Sequence, residues 1–517
     1  VGLIPGKMSK KPEQDIKKLA SLLEIDVDTV KKKLEAKWVK EDSFVPIKTI
    51  ERVNGWETMS EKYREEAEEK QELQNNLLDI PGVMISDTKV REYPLKEAAA
   101  HLIGYVQSVT AEDLEKHKGE GYTNSSVIGK SGVELLYESN LKGENGYEIT
   151  IFNSNGKEKE VLAVKEVKNG EDIYLTIDAK LQQKLYEEWK EDKSVSAAMN
   201  PRTGDVLALV STPSYDPNDF IRGLSEKQWK QLNEDEAHPL QNRFRSSWCP
   251  GSSLKPVIGA IGVTVGAIDP DKDYGQKGLR WQKDKSWGSY AVTTLHAYET
   301  ANLKNAMIYS DNIYFAGAAL KIGGDRLAEG LKELGFGEQL PFPIRMAKSQ
   351  ISNSNTFESE IQLADSGYGQ GQILVNPLHL LSIYSAFANE GSMIRPDLLF
   401  SMEESKPEFW KENIFSKEAA EAIEESMIQV IENPEGTGRG CRIEGVTLAG
   451  KTGTAEIKAS KEDTGGTELG WFVVYTPDWD REEPLSLITM VEDVKNRGGS
   501  GYVTKKDKKV LEQVLAE

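Results

Sequence analysis

The chain has 517 residues, of which 38% are hydrophobic and 29% charged, enough apolar material for a sizeable core and, at about 150 residues per domain, for two to four domains. Its net charge of −20 is not the basic balance of a nucleic-acid binder, and no nucleic-acid partner is expected. No run of about 18 apolar residues occurs, so no stretch of the sequence reads as a membrane span.

The chain opens Val1-Gly2-Leu3-Ile4 with neither an initiator Met nor a signal-peptide pattern, and it reads as a fragment or a processed form. Ile16, Leu19, Ala20 and Leu23 recur at helical spacing and predict an amphipathic helix. Residues 61–74 (EKYREEAEEKQELQ) are acidic and helix-favouring, the pattern of a solvated helix face. A strand over 147–152 ends in the turn Asn153-Ser154-Asn155-Gly156, and a second strand is expected over 161–167. Beyond the turn Lys168-Asn169-Gly170 the pattern changes to a short strand over 173–177 and a helix over 179–189. A domain boundary is therefore placed near residue 170, dividing the chain into 1–170 and 171–517.

Residues 195–199 and 206–210 are β-rich, and Pro201-Arg202-Thr203-Gly204 joins them as a hairpin. A mainly helical middle follows. Strand patterns return over 445–448, 469–475 and 485–491, before a helical tail over 508–516. Strands at both ends of a region with helices between them predict an α+β domain built on an antiparallel sheet. Cys249 and Cys441 are too few for a disulfide framework, and whether they pair is left open. The five histidines show no metal-ligand spacing, so neither a metal nor a cofactor is expected.

Three short stretches carry possible chemistry. Pro250-Gly251-Ser252-Ser253-Leu254-Lys255 precedes an apolar run over 257–265 that looks helical. Ser252 then sits at a helix start, where free N–H groups and a partial positive charge suit a developing oxyanion. Lys255, three positions on, shares its helix face and serves as the base that a weak serine nucleophile needs. In isolation the pattern is weak, since Ser154 and Lys157 repeat it in a turn. Ser310-Asp311-Asn312 follows a helix predicted over 303–308; its hydroxyl and amide, in a non-helical segment, can face one cleft, although alone it reads as a cap or a turn. Lys451-Thr452-Gly453-Thr454 lies on or beside a strand expected to begin at Val446, with Lys451 and Gly453 on one side and Thr452 and Thr454 on the other. Gly453 would let a substrate backbone approach and pair along the strand edge. Lys130-Ser131-Gly132 is a loop look-alike of this motif.

The combination is far more specific than its parts. Ser-x-x-Lys, Ser-x-Asn and Lys-Thr-Gly, in that order, form the set of active-site-serine enzymes that recognise penicillin. Longer runs point the same way: Phe44-Val45-Pro46, Arg91-Glu92-Tyr93-Pro94, His101-Leu102-Ile103-Gly104-Tyr105, Ile128-Gly129-Lys130-Ser131-Gly132, Leu175-Thr176-Ile177-Asp178-Ala179, WQKDKSWGSY over 281–290 and DSGYGQG over 365–371. On these residues the chain resembles the class B penicillin-binding proteins, and within them the low-affinity, methicillin-resistance type. The resemblance implies a transpeptidase domain (an antiparallel sheet flanked by helices, with a helical subdomain) on an N-terminal mixed α/β pedestal. It implies an extracytoplasmic location, with an upstream anchor in the cytoplasmic membrane. The implied partners are peptidoglycan stem peptides, β-lactams as covalent inhibitors and a glycosyltransferase, divisome or elongasome protein. Cys249, just before the nucleophile motif, is a departure and is expected to be a buried, inert thiol.

The implied reaction begins with attack by Ser252 on the carbonyl between two terminal D-alanines, with neutral Lys255 taking the proton. A lysine that ordinarily titrates near 10.4 needs about 4 kcal/mol from its surroundings to be neutral near pH 7, and burial beside Lys451 is the expected source. Ser310 is expected to relay a proton to the leaving amine. Asn312 would orient Lys255 and the substrate amide, and Lys451, Thr452 and Thr454 would hold the terminal carboxylate. Backbone N–H groups of Ser252 and Thr454 would bind the oxyanion. Tyr290 and Tyr368 are expected either to line the cleft or to pack in the core. The rivals are a β-lactamase or β-lactam sensor, a D,D-carboxypeptidase, and a non-catalytic cell-wall scaffold.

Overall fold

The computed structural model describes residues 1–52, 61–123, 126–401, 407–457, 466–478 and 481–515. They group into two compact units, Val1–Leu135 with Tyr215–Leu240, and Leu136–Ser214 with Gln241–Glu517.

In the first unit the amphipathic pattern forms the helix Pro12–Leu22, with Ile16, Leu19 and Ala20 buried. Asp26 accepts an N–H bond from Asp28 and starts the next helix, Val27–Leu34. The acidic stretch is the helix Glu61–Leu78, and its Leu77 joins Leu3, Leu19 and Val30 in the local core. Tyr215–Leu240 returns to this unit from the middle of the chain. It is fastened by Tyr93 N donating to Asn218 Oδ1 (2.9 Å), by Asn218 Nδ2 donating to Tyr93 O (3.0 Å), and by Tyr105 stacked on Phe220.

In the second unit Tyr147–Phe152 pairs with Glu158–Lys165 as a hairpin, its second strand set earlier than the expected 161–167. Segment 173–177 is not a strand: only Leu175 makes a bridge, to Leu399, because its apolar alternation meets no continuous partner. Asp178 caps α1 (Ala179–Trp189), accepting from Lys180 N and Leu181 N. Leu181, Leu185 and Trp189 recur four apart on one buried stripe of this helix. β1 (Ser194–Met199) and β2 (Val206–Thr212) then form the predicted hairpin. The helical middle supplies α2 (Lys255–Thr264), α3 (Leu303–Ile308), α4 (Asn312–Ile322), α5 (Pro377–Ala388) and α6 (Lys417–Glu432). β3 (Ala449–Ile457), β4 (Thr467–Tyr475), β5 (Ser486–Val491) and α7 (Ser500–Leu515) close the chain.

The five strands form one antiparallel sheet in the order β3-β4-β5-β1-β2. Its first and last strands in sequence, β1 and β5, thus lie side by side in the sheet. Leu181, Leu185 and Trp189 of α1 and Val503, Val510 and Leu511 of α7 pack on one face over Ala198, Phe472 and Leu487. Burying each such leucine contributes about 2 kcal/mol. α5, buried along its whole length, contacts β1 and β5, and α6 contacts β3. This is the α+β architecture expected, an antiparallel sheet flanked by helices.

Two more expectations need correction. Residues 445–448 are not a strand: Gly445, at φ +76°, lies in a turn and Ile443 bridges to Val446, so the strand carrying Lys451 starts at Ala449 rather than Val446. The last helix begins at Ser500, ahead of the predicted 508, because Val503 and Thr504 are already buried; Ala516 lies outside the described residues.

Candidate active site

The Ser252 motif is a 3-10 turn, Gly251–Leu254, that runs directly into α2. Gly251 has φ +53°, and a side chain there would meet Thr454 O at 2.4 Å. The turn therefore lies flat against β3. It is held by Gly251 N donating to Gly369 O (2.9 Å), Tyr384 Oη donating to Ser253 O (2.6 Å) and Trp471 Nε1 donating to Cys249 O (2.9 Å). Cys249 is buried, as expected, and burial pushes its thiol up to about 11, so it stays protonated. Cys249 and Cys441 are both free thiols.

α2 is apolar almost all round, and Lys255 in its first turn is completely buried. The lysine Nζ donates to Ser310 O (2.6 Å) and Asn312 Oδ1 (2.8 Å) and lies 3.1 Å from Ser310 Oγ. The expected hydrogen bond to Ser252 is not formed among the described residues. The two residues are joined through the backbone, Lys255 N donating to Ser252 O, while the lysine Nζ is turned to Ser310 and Asn312. Lys451, equally buried on β3, donates to the same Ser310 Oγ (2.9 Å) and to Thr452 O (3.0 Å).

Ser310 has φ +54°, a left-handed conformation costing a non-glycine residue about 1 kcal/mol or more. That conformation turns its carbonyl and its hydroxyl toward one ammonium. Asn312 is not in a loop, as expected, but is the first residue of α4, capped by Asp311. Its Nδ2 donates to Thr293 O (3.0 Å), which leaves Oδ1 for Lys255.

Burial lowers both lysines. Lys255 lies well below its ordinary value through desolvation and then the neighbouring Lys451 charge, opposed by Asp311. Desolvation brings Lys451 down to about 7. With Lys255 neutral, its two N–H bonds go to Ser310 O and Asn312 Oδ1, and its lone pair faces the Ser310 hydroxyl. Lys451 then donates to that hydroxyl oxygen.

A cleft of about 950 Å³ opens over this set. Every candidate residue lines it except Lys255 and Lys451, which lie beneath. Tyr290 and Tyr368 do both things expected of them as alternatives: their rings pack against Trp287 and Ile313, and they face the cleft. Both hydroxyls donate to Asp365 Oδ1, Tyr368 at 2.5 Å. Desolvation and that carboxylate push both phenols up. Gly453 differs from expectation: the space where its side chain would stand is filled by Ser253 N at 2.8 Å and Pro250 O at 3.0 Å, so its missing side chain admits the serine turn. Asp365 and Thr437, which accepts from Thr452 Oγ1 (2.7 Å), were not singled out from sequence. Asp365 had a signal in its i, i+3 spacing to Tyr368; Thr437 had none.

An alcohol on a turn that opens a buried helix, two buried lysines sharing a second hydroxyl, and a Lys-Thr-Gly strand beside them match the motif set of active-site-serine enzymes that recognise penicillin. The model of the penicillin binding protein transpeptidase domain matches residues 195–516, and that of the penicillin-binding protein dimerisation domain matches residues 1–175. Penicillin-binding protein 3 of Bacillus subtilis is 42% identical over 510 residues, covering 98% of this chain and 73% of that protein. Peptidoglycan D,D-transpeptidase MrdA of Haemophilus influenzae is 29% identical over 472 residues, 85% of this chain and 71% of that protein. Among solved structures, Helicobacter pylori PBP2 in complex with MreC superposes with a TM-score of 0.76 at 23% identity, over 100% of this chain and 94% of that one. Pseudomonas aeruginosa PBP2 in complex with WCK 5153 gives 0.67 at 27% identity, over 84% and 94%. The chain belongs to the class B penicillin-binding proteins and has the penicillin-binding transpeptidase fold.

Proposed function

We propose that the chain is a peptidoglycan D,D-transpeptidase that cross-links stem peptides through an acyl-enzyme on Ser252. The observation that carries this reading is the convergence of Lys255 Nζ and Lys451 Nζ on Ser310 Oγ, at 3.1 and 2.9 Å, under the cleft that Ser252 lines. Relatives named peptidoglycan D,D-transpeptidase support it.

In the reaction Ser252 Oγ bonds to the carbonyl carbon between the two D-alanines, and its proton passes to neutral Lys255. The tetrahedral oxyanion is held by the N–H groups of Ser252 and Thr454. When the C–N bond breaks, the proton returns to the leaving amine through Ser310, between the two lysines, and D-alanine departs. The amine of a second stem peptide then attacks the ester, forming the cross-link and restoring the Ser252 hydroxyl. Lys451, Thr452 and Thr454 bind the terminal carboxylate, Asn312 orients Lys255 and the substrate amide, and Tyr290 and Tyr368 line the donor side. A β-lactam opens its ring amide by the same attack, but the leaving amine stays attached and the ester persists.

The functional division runs near residue 170, with a pedestal before it and the transpeptidase domain after it; the two family matches, 1–175 and 195–516, support this. The location is extracytoplasmic, at the cytoplasmic membrane. Among the described residues no helix is long and apolar enough to cross it. The partner is a glycosyltransferase, divisome or elongasome protein. Slow acylation, as in the low-affinity type, is supported by the resemblance of the long sequence runs.

Intact-protein mass spectrometry after long incubation with benzylpenicillin tests the reading. One adduct is expected, mapped to the peptide containing Ser252, absent in Ser252→Ala and persisting for hours. Release within seconds points to a β-lactamase, no adduct to a scaffold, and an adduct elsewhere removes the assignment. A peptide-amine acceptor assay separates transpeptidation from D-alanine release by water.

A further inference from the structure

Behind the Ser310–Asn312 turn, on the side of α4 away from the cleft, lies a second cavity of about 180 Å³. Its apolar wall includes Ile268, Ile313 and Ala318. Two of its lining residues carry a buried donor without a partner among the described residues: Tyr314 Oη, on a side chain only 8% exposed, and Gln276 Nε2. An unsatisfied buried donor is destabilising, and native structures carry few of them. Gly317, in the middle of α4, adds an independent sign. Glycine weakens a helix interior relative to alanine, and here an added side chain would meet nothing within 4 Å. The glycine thus keeps the cavity open rather than relieving a close contact.

Tyr314, Gly317 and Lys321 follow one another at helical i, i+3, i+7 spacing and share one face of α4. Lys321 Nζ sits 3.8 Å over the Tyr274 ring at the far end of the cavity, with Lys272 also over that ring. No carboxylate pairs with Lys321, Lys272 or Lys277 among the described residues. The nearby Asp273 is engaged by Gly275 N and Ala301 N, and Asp269 by Asp271 N. Asp311 lines the opposite end, about 15 Å along the helix from Lys321, with Ile313 N and Tyr298 Oη already on its oxygens.

We propose that this cavity is a second binding site, separate from the acyl-transfer cleft, for a small single-ring carboxylate. The ring fills the space over Gly317 against Ile268 and Ala318. An acceptor on the ring takes the Tyr314 and Gln276 hydrogens, and the carboxylate faces Lys321. An apolar cavity of about 150 Å³ holds benzene, so the space suits one substituted ring. The site goes beyond the transpeptidase reading and does not depend on it.

Ligand-observed NMR with 4-hydroxybenzoate and the whole chain tests it. Binding is expected to be unchanged after benzylpenicillin treatment. It should weaken at least tenfold in Gly317→Leu, which fills the cavity, and severalfold in Tyr314→Phe and in Lys321→Gln. Tyr314→Phe is expected to melt no lower than the parent protein, since it removes an unsatisfied hydroxyl. If Gly317→Leu does not fold, the other two variants decide. No binding at millimolar probe, unchanged affinity in the folded variants, or competition by benzylpenicillin would overturn the site.

Discussion

Lys255 and Lys451 share one hydroxyl, so the protonation of each bears on the other. In the proposed reaction acylation needs Lys255 neutral, a fraction that rises with pH through its lowered pKa. In the same proposal Lys451 is a cation that holds the carboxylate, and that fraction falls as pH passes about 7. The second-order acylation rate with benzylpenicillin is therefore expected to decline above pH 7, and Lys451→Arg, charged throughout, should lose the decline even if slower. A rate flat from pH 6 to 9 in the parent protein would refute this ordering. Gly453 is the other decisive residue. Gly453→Ala places a methyl group 2.8 Å from Ser253 N, a backbone atom that cannot swing aside. The serine turn must shift, and stopped-flow acylation is expected to slow by roughly tenfold or more, about 1.4 kcal/mol in the barrier.

At the scale of elements, α7 carries a buried charge site of its own. Asp507 is completely buried against the sheet; its Oδ1 accepts from Thr489 (2.9 Å) and Trp189 Nε1 (3.3 Å), while Oδ2 has no partner among the described residues. Burial raises its pKa to about 8, so the folded chain keeps a proton that the unfolded chain releases near pH 4. Its stabilising contribution is complete below about pH 4 and is lost as pH rises toward 8, up to about 1.4 kcal/mol per pH unit. Asp507→Asn retains the acceptor without the titration. Urea unfolding of the variant should show a flatter dependence between pH 5 and 8, and a slope identical to the parent would exclude Asp507 as its source. Elements with complete local signals, such as α1 with its cap and leucine stripe, were readable to the residue. Segments 173–177 and 445–448 were not, because a strand requires a partner and neither has a continuous one.

For the molecule as a whole, the return of Tyr215–Leu240 to the first unit matters most. Within the second unit the ends of this excursion stay close: Ser211 Oγ donates to Gln241 O (3.1 Å) and accepts from Arg243 N (2.9 Å). Replacing 215–240 by a short Gly-Ser linker is expected to leave benzylpenicillin acylation within about threefold. The same change should lower the melting of the first unit, which loses the Tyr93–Asn218 and Tyr105–Phe220 contacts. Scanning calorimetry beside an acylation assay checks both, and loss of acylation with the catalytic unit still folded would refute the independence.

Composition, spacing and caps determined the helices, the hairpin of β1 and β2, the α+β class and the three motifs, because each depends on residues near one another in the chain. The sequence alone also made the family legible, through the order of those motifs. Tertiary structure decided the rest. Lys255 meets Ser310 across 55 positions and Lys451 meets it across 141, and burial in that dry interior lowers both ammonium groups. The contact that Gly453 makes, the carboxylate shared by two tyrosines, and the cavity behind α4 likewise depend on distances between segments that no local pattern encodes.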